Sequence, residues 1–196
     1  ILNHKTLIAD KTTQNYQQQF KEISLSLSNL VTHEDWIEHF KKLMYWELEL
    51  ESLEDSSMFE IFETQMKEAN IQFAKFIETY YENWMKGNSG PVLSHQVFRK
   101  FVFPELNKHQ PTLLLMIDNL RFDQWRTIQP ELKKYCKVAR EETCFSILPT
   151  ATQYARNAFF AGLTPLEMSN RFPQWWKNDI DEGGKNVHEL DFLKVQ

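Results

Sequence analysis

Glycine and proline are missing from the first 86 residues. All five Gly and all seven Pro lie at or beyond Gly87, so the opening stretch carries none of the strongest helix breakers. Arginine is missing there too, since all six lie at or beyond Arg99. Cysteine is scarce: Cys136 and Cys144 are the only two, too few for a disulfide framework, so a reducing cytoplasm is expected. No window offers the roughly 18 uninterrupted apolar residues that a membrane helix needs, and membrane insertion is not expected. Ile1-Leu2-Asn3-His4-Lys5 lacks the basic head and apolar stretch of a secretory signal and lacks a starting Met, which points to a piece cut from a longer protein. Positive charge is in deficit, with a net charge of −5 and a pI of 5.7. That argues against a nonspecific DNA coat but leaves room for a local basic groove.

The 196 residues suit one or two domains. With 42% hydrophobic and 25% charged residues, composition excludes a disordered tail. Charge shifts where glycine and proline begin. Residues 1–86 hold 8 Lys against 15 acidic residues, whereas the remainder holds 14 basic against 12 acidic. Two architectures are joined here: a bundle over 1–86, a linker and short helix over 87–110, and a second domain over 111–196.

Periodicity assigns three helices to the first part. Tyr16, Phe20, Ile23, Leu27 and Leu30 line one helical face. Thr32 is placed as an N-cap, with Glu34 and Asp35 against the helix dipole. Ile37, Phe40, Met44 and Leu48 form a second stripe. Ser57 and Glu60 have capping-box spacing before a third, Phe59, Phe62, Met66, Ala69, Phe73, Phe76, Tyr80 and Trp84, which stops at Gly87. Three apolar stripes with no strand between them must bury against one another, so a three-helix bundle follows. The acidic stretch Glu47–Asp55 reads as a solvated helix end and loop.

The second part reads as α/β. Gly87-Asn88-Ser89-Gly90-Pro91 is a linker, and Ser94 opens a short helix to about Phe101, ended by Pro104. The run Thr112 to Asp118, after Pro111, suits a strand buried on both faces of a parallel sheet. A helix near 122–134, disturbed at Pro130, leads to further strands at 135–139 and 144–148. Cys136 and Cys144 would then be buried thiols on neighbouring strands.

Two places carry chemistry. Asp118 ends the first strand, where open α/β sheets hold their ligands, and Asp is a hard oxygen ligand for zinc or magnesium. It equally fits a turn or helix-capping residue. Asn119 and Arg121 share its turn. Thr152 stands where a helix begins, after Pro149-Thr150-Ala151. A hydroxyl there faces free N–H donors and favours an adjacent phosphoryl group, or it is simply an N-cap. Arg156 and Asn157, within two turns, either contact phosphate or solvate the helix.

Taken together these segments resemble a known family. Ile117-Asp118-Asn119-Leu120-Arg121, then Leu148-Pro149-Thr150-Ala151-Thr152 and Ala161-Gly162-Leu163-Thr164-Pro165, resemble the alkaline phosphatase superfamily, and more closely the PglZ domain of PorX-like response regulators. The resemblance extends to Arg121-Phe122-Asp123-Gln124-Trp125, to Gln153-Tyr154-Ala155-Arg156-Asn157 and to the preceding bundle. It implies an alkaline-phosphatase-like fold after 111. It also implies Asp118 as metal ligand, Thr152 as nucleophile and metal ligand, and two zinc ions in the whole protein. A receiver domain, a partner sensor histidine kinase and a role in type IX secretion are implied as well, with phosphodiesterase action on cyclic or linear oligonucleotides. A non-catalytic scaffold, in which the bundle dimerises or docks partners, is the competing expectation.

The sequence also departs from that pattern. It has no Asp-His dipeptide, and His188 is the only His beyond His109. Zinc sites take three or four protein ligands, so the remaining ligands are expected outside this chain, and the chain alone is expected to bind metal poorly and be inactive. His33 and His39 are six residues apart, off the i, i+4 spacing of a zinc helix, and are expected at the surface. Phosphate-binding P-loop and Gly-x-Ser-x-Gly motifs are absent. Trp175-Trp176 is expected to pack rather than to stack bases.

Overall fold

A computed structural model describes residues 2–52, 56–87, 89–107 and 109–196. The chain divides into two units, one made of Ile1–Gly90 and Ile117–Ala139, the other of Pro91–Met116 and Arg140–Gln196.

The first unit holds α1 (Leu2–Leu27), α2 (His33–Glu51), α3 (Ser56–Met85) and α4 (Phe122–Leu132). Each of the first three packs on the other two, which is the expected bundle, and α4 packs on α2. Thr32 caps α2 as its spacing predicts. Its Oγ1 accepts the Asp35 amide at 3.1 Å, and the Asp35 carboxylate accepts the Thr32 amide at 2.9 Å. The Thr32 amide, its hydroxyl and the Val31 amide hold the Asp35 carboxyl below its ordinary value. Helix α3 begins at Ser56, so Ser57 lies inside its first turn rather than capping it; the capping position falls outside the described residues.

The buried seam of α2 differs from the expected stripe. Trp36, His39, Leu43, Trp46 and Leu50 are buried, repeating in steps of three and four, with Met44 beside them. Phe40 points out of that seam, and its ring meets Phe122 of α4 at 6.1 Å. Helix α2 therefore has two apolar faces, and the expected stripe takes Phe40 from one and Met44 from beside the other. His39 is buried, not a surface residue, because a neutral imidazole occupies the seam position of a hydrophobe. Tyr16, wholly buried, packs against Trp46 and Phe62 at ring distances of 5.3 and 6.2 Å. Its hydroxyl donates to Gln65 Oε1 at 3.2 Å, and Gln65 Nε2 donates to the Phe20 carbonyl and to Ser24 Oγ. A buried amide is thus fully paired at the centre of the bundle.

The second unit is built around α5 (Thr152–Ala161), which packs on α6 (Pro165–Arg171), α7 (Glu189–Val195) and the single turn Ser94–Gln96. Its core is Leu93, Phe98, Ile147, Ala158, Met168 and Phe192. In place of one short helix from Ser94, the chain makes a 3-10 turn at Ser94–Gln96, a π turn at Phe98–Val102 and a 3-10 turn at Phe103–Glu105 that contains Pro104. Gly162 ends α5 in the left-handed conformation at φ +62°, and Thr164 with Glu167 forms the capping box of α6.

The expected parallel sheet is not shown. Among the described residues no strand forms at 112–118, 135–139 or 144–148, and the only pairing is an isolated parallel bridge between Leu93 and Phe145. A parallel strand exists only with a neighbour to receive its amides and cover on both faces. The run at 112–117 has neither here: Leu113 is 90% and Leu115 74% exposed. Cys136 and Cys144 are exposed rather than buried for the same reason. No helix among the described residues is long and apolar enough to cross a membrane.

Candidate functional site

Asp118 and Asn119 form the turn that precedes α4 in the first unit, and both are exposed. Asn119 holds φ at +58°, a left-handed conformation that Asn tolerates because its short side chain bonds locally. Two residues on, Arg121 turns its guanidinium onto Asp123, with bonds of 3.0 and 2.7 Å. That partner keeps the Asp123 carboxyl low and the Arg121 guanidinium high, and it places Arg121 in the helix-start structure.

Thr152 is the first residue of α5 in the second unit. It does not cap the helix. Ala151 holds the N-cap position, without a side-chain bond, and the Thr152 hydroxyl makes no hydrogen bond among the described residues. The residue is exposed. The expected alternative, a hydroxyl occupied as a cap, is not what this turn contains. The first four N–H groups of a helix have no i−4 partner. Of these, among the described residues, only the Tyr154 amide reaches the Ala151 carbonyl, at 2.9 Å, so an unoccupied hydroxyl stands beside donors suited to an anion.

The neighbours of Thr152 are all engaged. Residues 178–189 pass along α5 as a strap. Asp179 accepts from Gln153 Nε2 and, at 2.9 Å, from the Tyr154 hydroxyl, which raises the pKa of that phenol. Arg156 forms a bidentate pair with Glu189. Asn157, only 2% exposed, donates to the Lys185 carbonyl at 2.9 Å and accepts from Asn186 Nδ2 at 3.1 Å. Asn186 Nδ2 also donates to the Thr152 carbonyl at 3.2 Å. Arg156 and Asn157, expected as phosphate contacts, are thus committed to the strap. Sequence reasoning passed over Asp179, Lys185, Asn186 and Glu189. Their one advance signal is the Asn-Asp-x-Asp and Gly-Gly composition of a tight loop.

Trp175 and Trp176 pack, as expected. Trp175 stacks on Phe172 with ring centres 5.0 Å apart and meets His188 and Phe192, while Trp176 lies against Tyr154. His188 Nδ1 is 2.9 Å from Asp191.

For a metal the residues present fall short. Among the described residues no group of three His, Cys, Asp or Glu side chains gathers to hold an ion. Asp118 lies in the first unit and Thr152 in the second, and zinc takes three or four ligands from protein.

Two family models give the class: a response-regulator linker joined to an alkaline phosphatase-like domain. Residues 6–85 match the family model of the PorX response regulator linker domain. Residues 97–195, half of the chain, match that of the BREX system PglZ alkaline phosphatase-like domain, and the chain belongs to the PglZ family. No curated protein matches the chain.

Proposed function

We propose that this chain is the linker and the nucleophile-bearing part of a phosphohydrolase domain in a two-component response regulator of the PorX kind. The observation that carries the reading is Thr152: an exposed hydroxyl on the first turn of α5, left unbonded while its neighbours are engaged, in a segment that matches a phosphatase-like family. In this reading Thr152 Oγ1 attacks phosphorus and gives up its proton, a P–O bond forms to the threonine, and the ester oxygen leaves with its electron pair and takes up a proton. Water then cleaves the phosphothreonine. Asp118 and Thr152 are assigned as two ligands of a zinc site whose other ligands lie outside these residues, so the chain by itself binds zinc weakly and does not turn over. The substrate assigned is a phosphodiester, a cyclic or linear oligonucleotide. The partner is a sensor histidine kinase acting on a receiver domain, the output type IX secretion, the setting cytoplasmic and the assembly a homodimer. The linker match supports the regulatory half of this reading.

The test uses the full-length protein with zinc and a nitrophenyl phosphodiester. Thr152→Ala abolishes turnover, and unchanged turnover refutes the assignment. A wild-type protein silent with zinc, magnesium and manganese alike favours the scaffold reading instead.

A further inference from the structure

The first turns of α5 contain five polar side chains. Four of them, Gln153, Tyr154, Arg156 and Asn157, bond to the strap, and only the Thr152 hydroxyl does not. The strap is itself folded. Lys185 Nζ donates to the carbonyls of Asn178, Asp179 and Asp181, Lys177 Nζ donates to the Glu182 carbonyl at 2.7 Å, and the Asn178 amide donates to Asp181 at 2.6 Å. It is a compact loop held by its own bonds, of the kind that surface loops with close ends form.

Two asparagines join this loop to the start of the helix. Asn157 is buried beside Ala158 and Ala161, where an apolar side chain would cost nothing in desolvation. Its amide is instead aimed in two directions, with Nδ2 to the Lys185 carbonyl and Oδ1 to Asn186. Asn186 closes the circuit by donating to the carbonyl of Thr152 itself. Helix starts fray because their first N–H groups have no partner and the first turn is the weakest. A directional bond to the Thr152 peptide counters that fraying at a residue whose hydroxyl is unspent among the described residues.

We propose that Asn186, seated by Asn157, is a positioning residue: its amide fixes the first peptide of α5 and thereby the direction of the Thr152 hydroxyl. The proposal rests on the reading of Thr152 as the nucleophile. Misplacing a reacting atom by about 1 Å costs on the order of 100-fold in rate, so the role is one of geometry, with no contact to substrate.

The experiment compares Thr152→Ala, Asn186→Ala and Asn186→Asp in the full-length protein. Each is assayed with zinc and a nitrophenyl phosphodiester and by amide hydrogen exchange. Asn186 is half-exposed, so neither replacement opens the core. The proposal expects Asn186→Ala to lower kcat at least tenfold with KM within twofold, and to speed exchange at the Tyr154 and Ala155 amides. Asn186→Asp keeps the shape but sets a carboxylate against the Thr152 carbonyl, and is expected to be worse than alanine. A kcat within twofold of wild type in Asn186→Ala, while Thr152→Ala is dead, overturns the positioning role and leaves the nucleophile standing. A kcat near wild type in Asn186→Asp also overturns it, since a space-filling role alone is indifferent to the lost donor. An active Thr152→Ala overturns both readings, and the exchange data then report a structural tether only.

Discussion

Replacing Gln65 by leucine tests whether the bundle is held by its polar centre or only by its apolar seams. Gln65 Oε1 accepts the hydroxyl of the wholly buried Tyr16, and its Nε2 serves the Phe20 carbonyl and Ser24 Oγ. Gln65→Leu leaves the Tyr16 hydroxyl without an acceptor in a site water does not reach, which costs about 1–3 kcal/mol. Losing the two bonds from Nε2 adds about 1 kcal/mol, because Ser24 can turn to solvent, and the greater hydrophobicity of leucine offsets about as much. The net expectation is a loss of about 2 kcal/mol. Tyr16→Phe leaves Gln65 Oε1 without its donor and costs about 1 kcal/mol. The informative variant is the double one. With both partners apolar nothing is left unpaired between them, so Tyr16→Phe/Gln65→Leu is less destabilised than the sum of the singles by about 1 kcal/mol or more. Burial pushes the Tyr16 phenol up to about 12, so it stays protonated throughout such an experiment. Native-state hydrogen exchange at the Phe62, Gln65 and Ala69 amides reads the local free energy in the intact chain. Single effects that add to within about 0.5 kcal/mol would refute the reasoning.

Two further outcomes follow from other parts of the molecule. His39 is buried with Nε2 unpartnered, and burial, then the charge of Lys42, depress its pKa below the ordinary 6.5. The depressed value makes the neutral form the folded one, so the bundle keeps its full stability above about pH 6.5 and loses it as pH falls toward the lowered value. His39→Leu flattens that pH dependence of bundle exchange, and an unchanged slope in the variant shows that another group sets it. Gly162 holds a left-handed φ, and a Cβ there stands 2.6 Å from the Gln196 side chain, whose Nε2 bonds the Phe160 carbonyl. Gly162→Ala is expected to lose about 1–2 kcal/mol, seen as faster exchange in α5 and α6; full protection in the variant contradicts the strain argument.

Local signals carried most of the helical half. Thr32 with Asp35, and Thr164 with Glu167, cap as their spacing requires, because a cap is satisfied within four residues of chain. Helix α5 starts at Thr152, as the spacing of Ala155, Ala158 and Phe159 requires, although no side chain caps it there. Burial decided by partners far along the chain was harder to read. Gln65 and His39 look like surface residues until Tyr16 and Ser26 stand beside them. The Thr112–Asp118 run has the composition of a sheet core, but composition cannot supply the neighbouring strands that make a sheet. At the candidate site, Thr152 was legible as a helix start, whereas the strap bonds of Arg156 and Asn157 span 28 to 33 residues and leave no periodic trace.

The first unit closes only when Ile117–Ala139 returns to it, so the polypeptide passes from one unit to the other at 90–91, 116–117 and 139–140. A protease cut at 90–91 or at 139–140 leaves one unit whole on a single piece that still carries part of the other, and a cut at 116–117 divides both. After a cut at 90–91, α4 stays attached to the other fragment and still grips α2, and the nicked halves part only if that grip is broken. Such threading makes the molecule resistant to domain-by-domain dissection. It also means that a ribosome must release residue 132 before the bundle can take up its whole fourth helix.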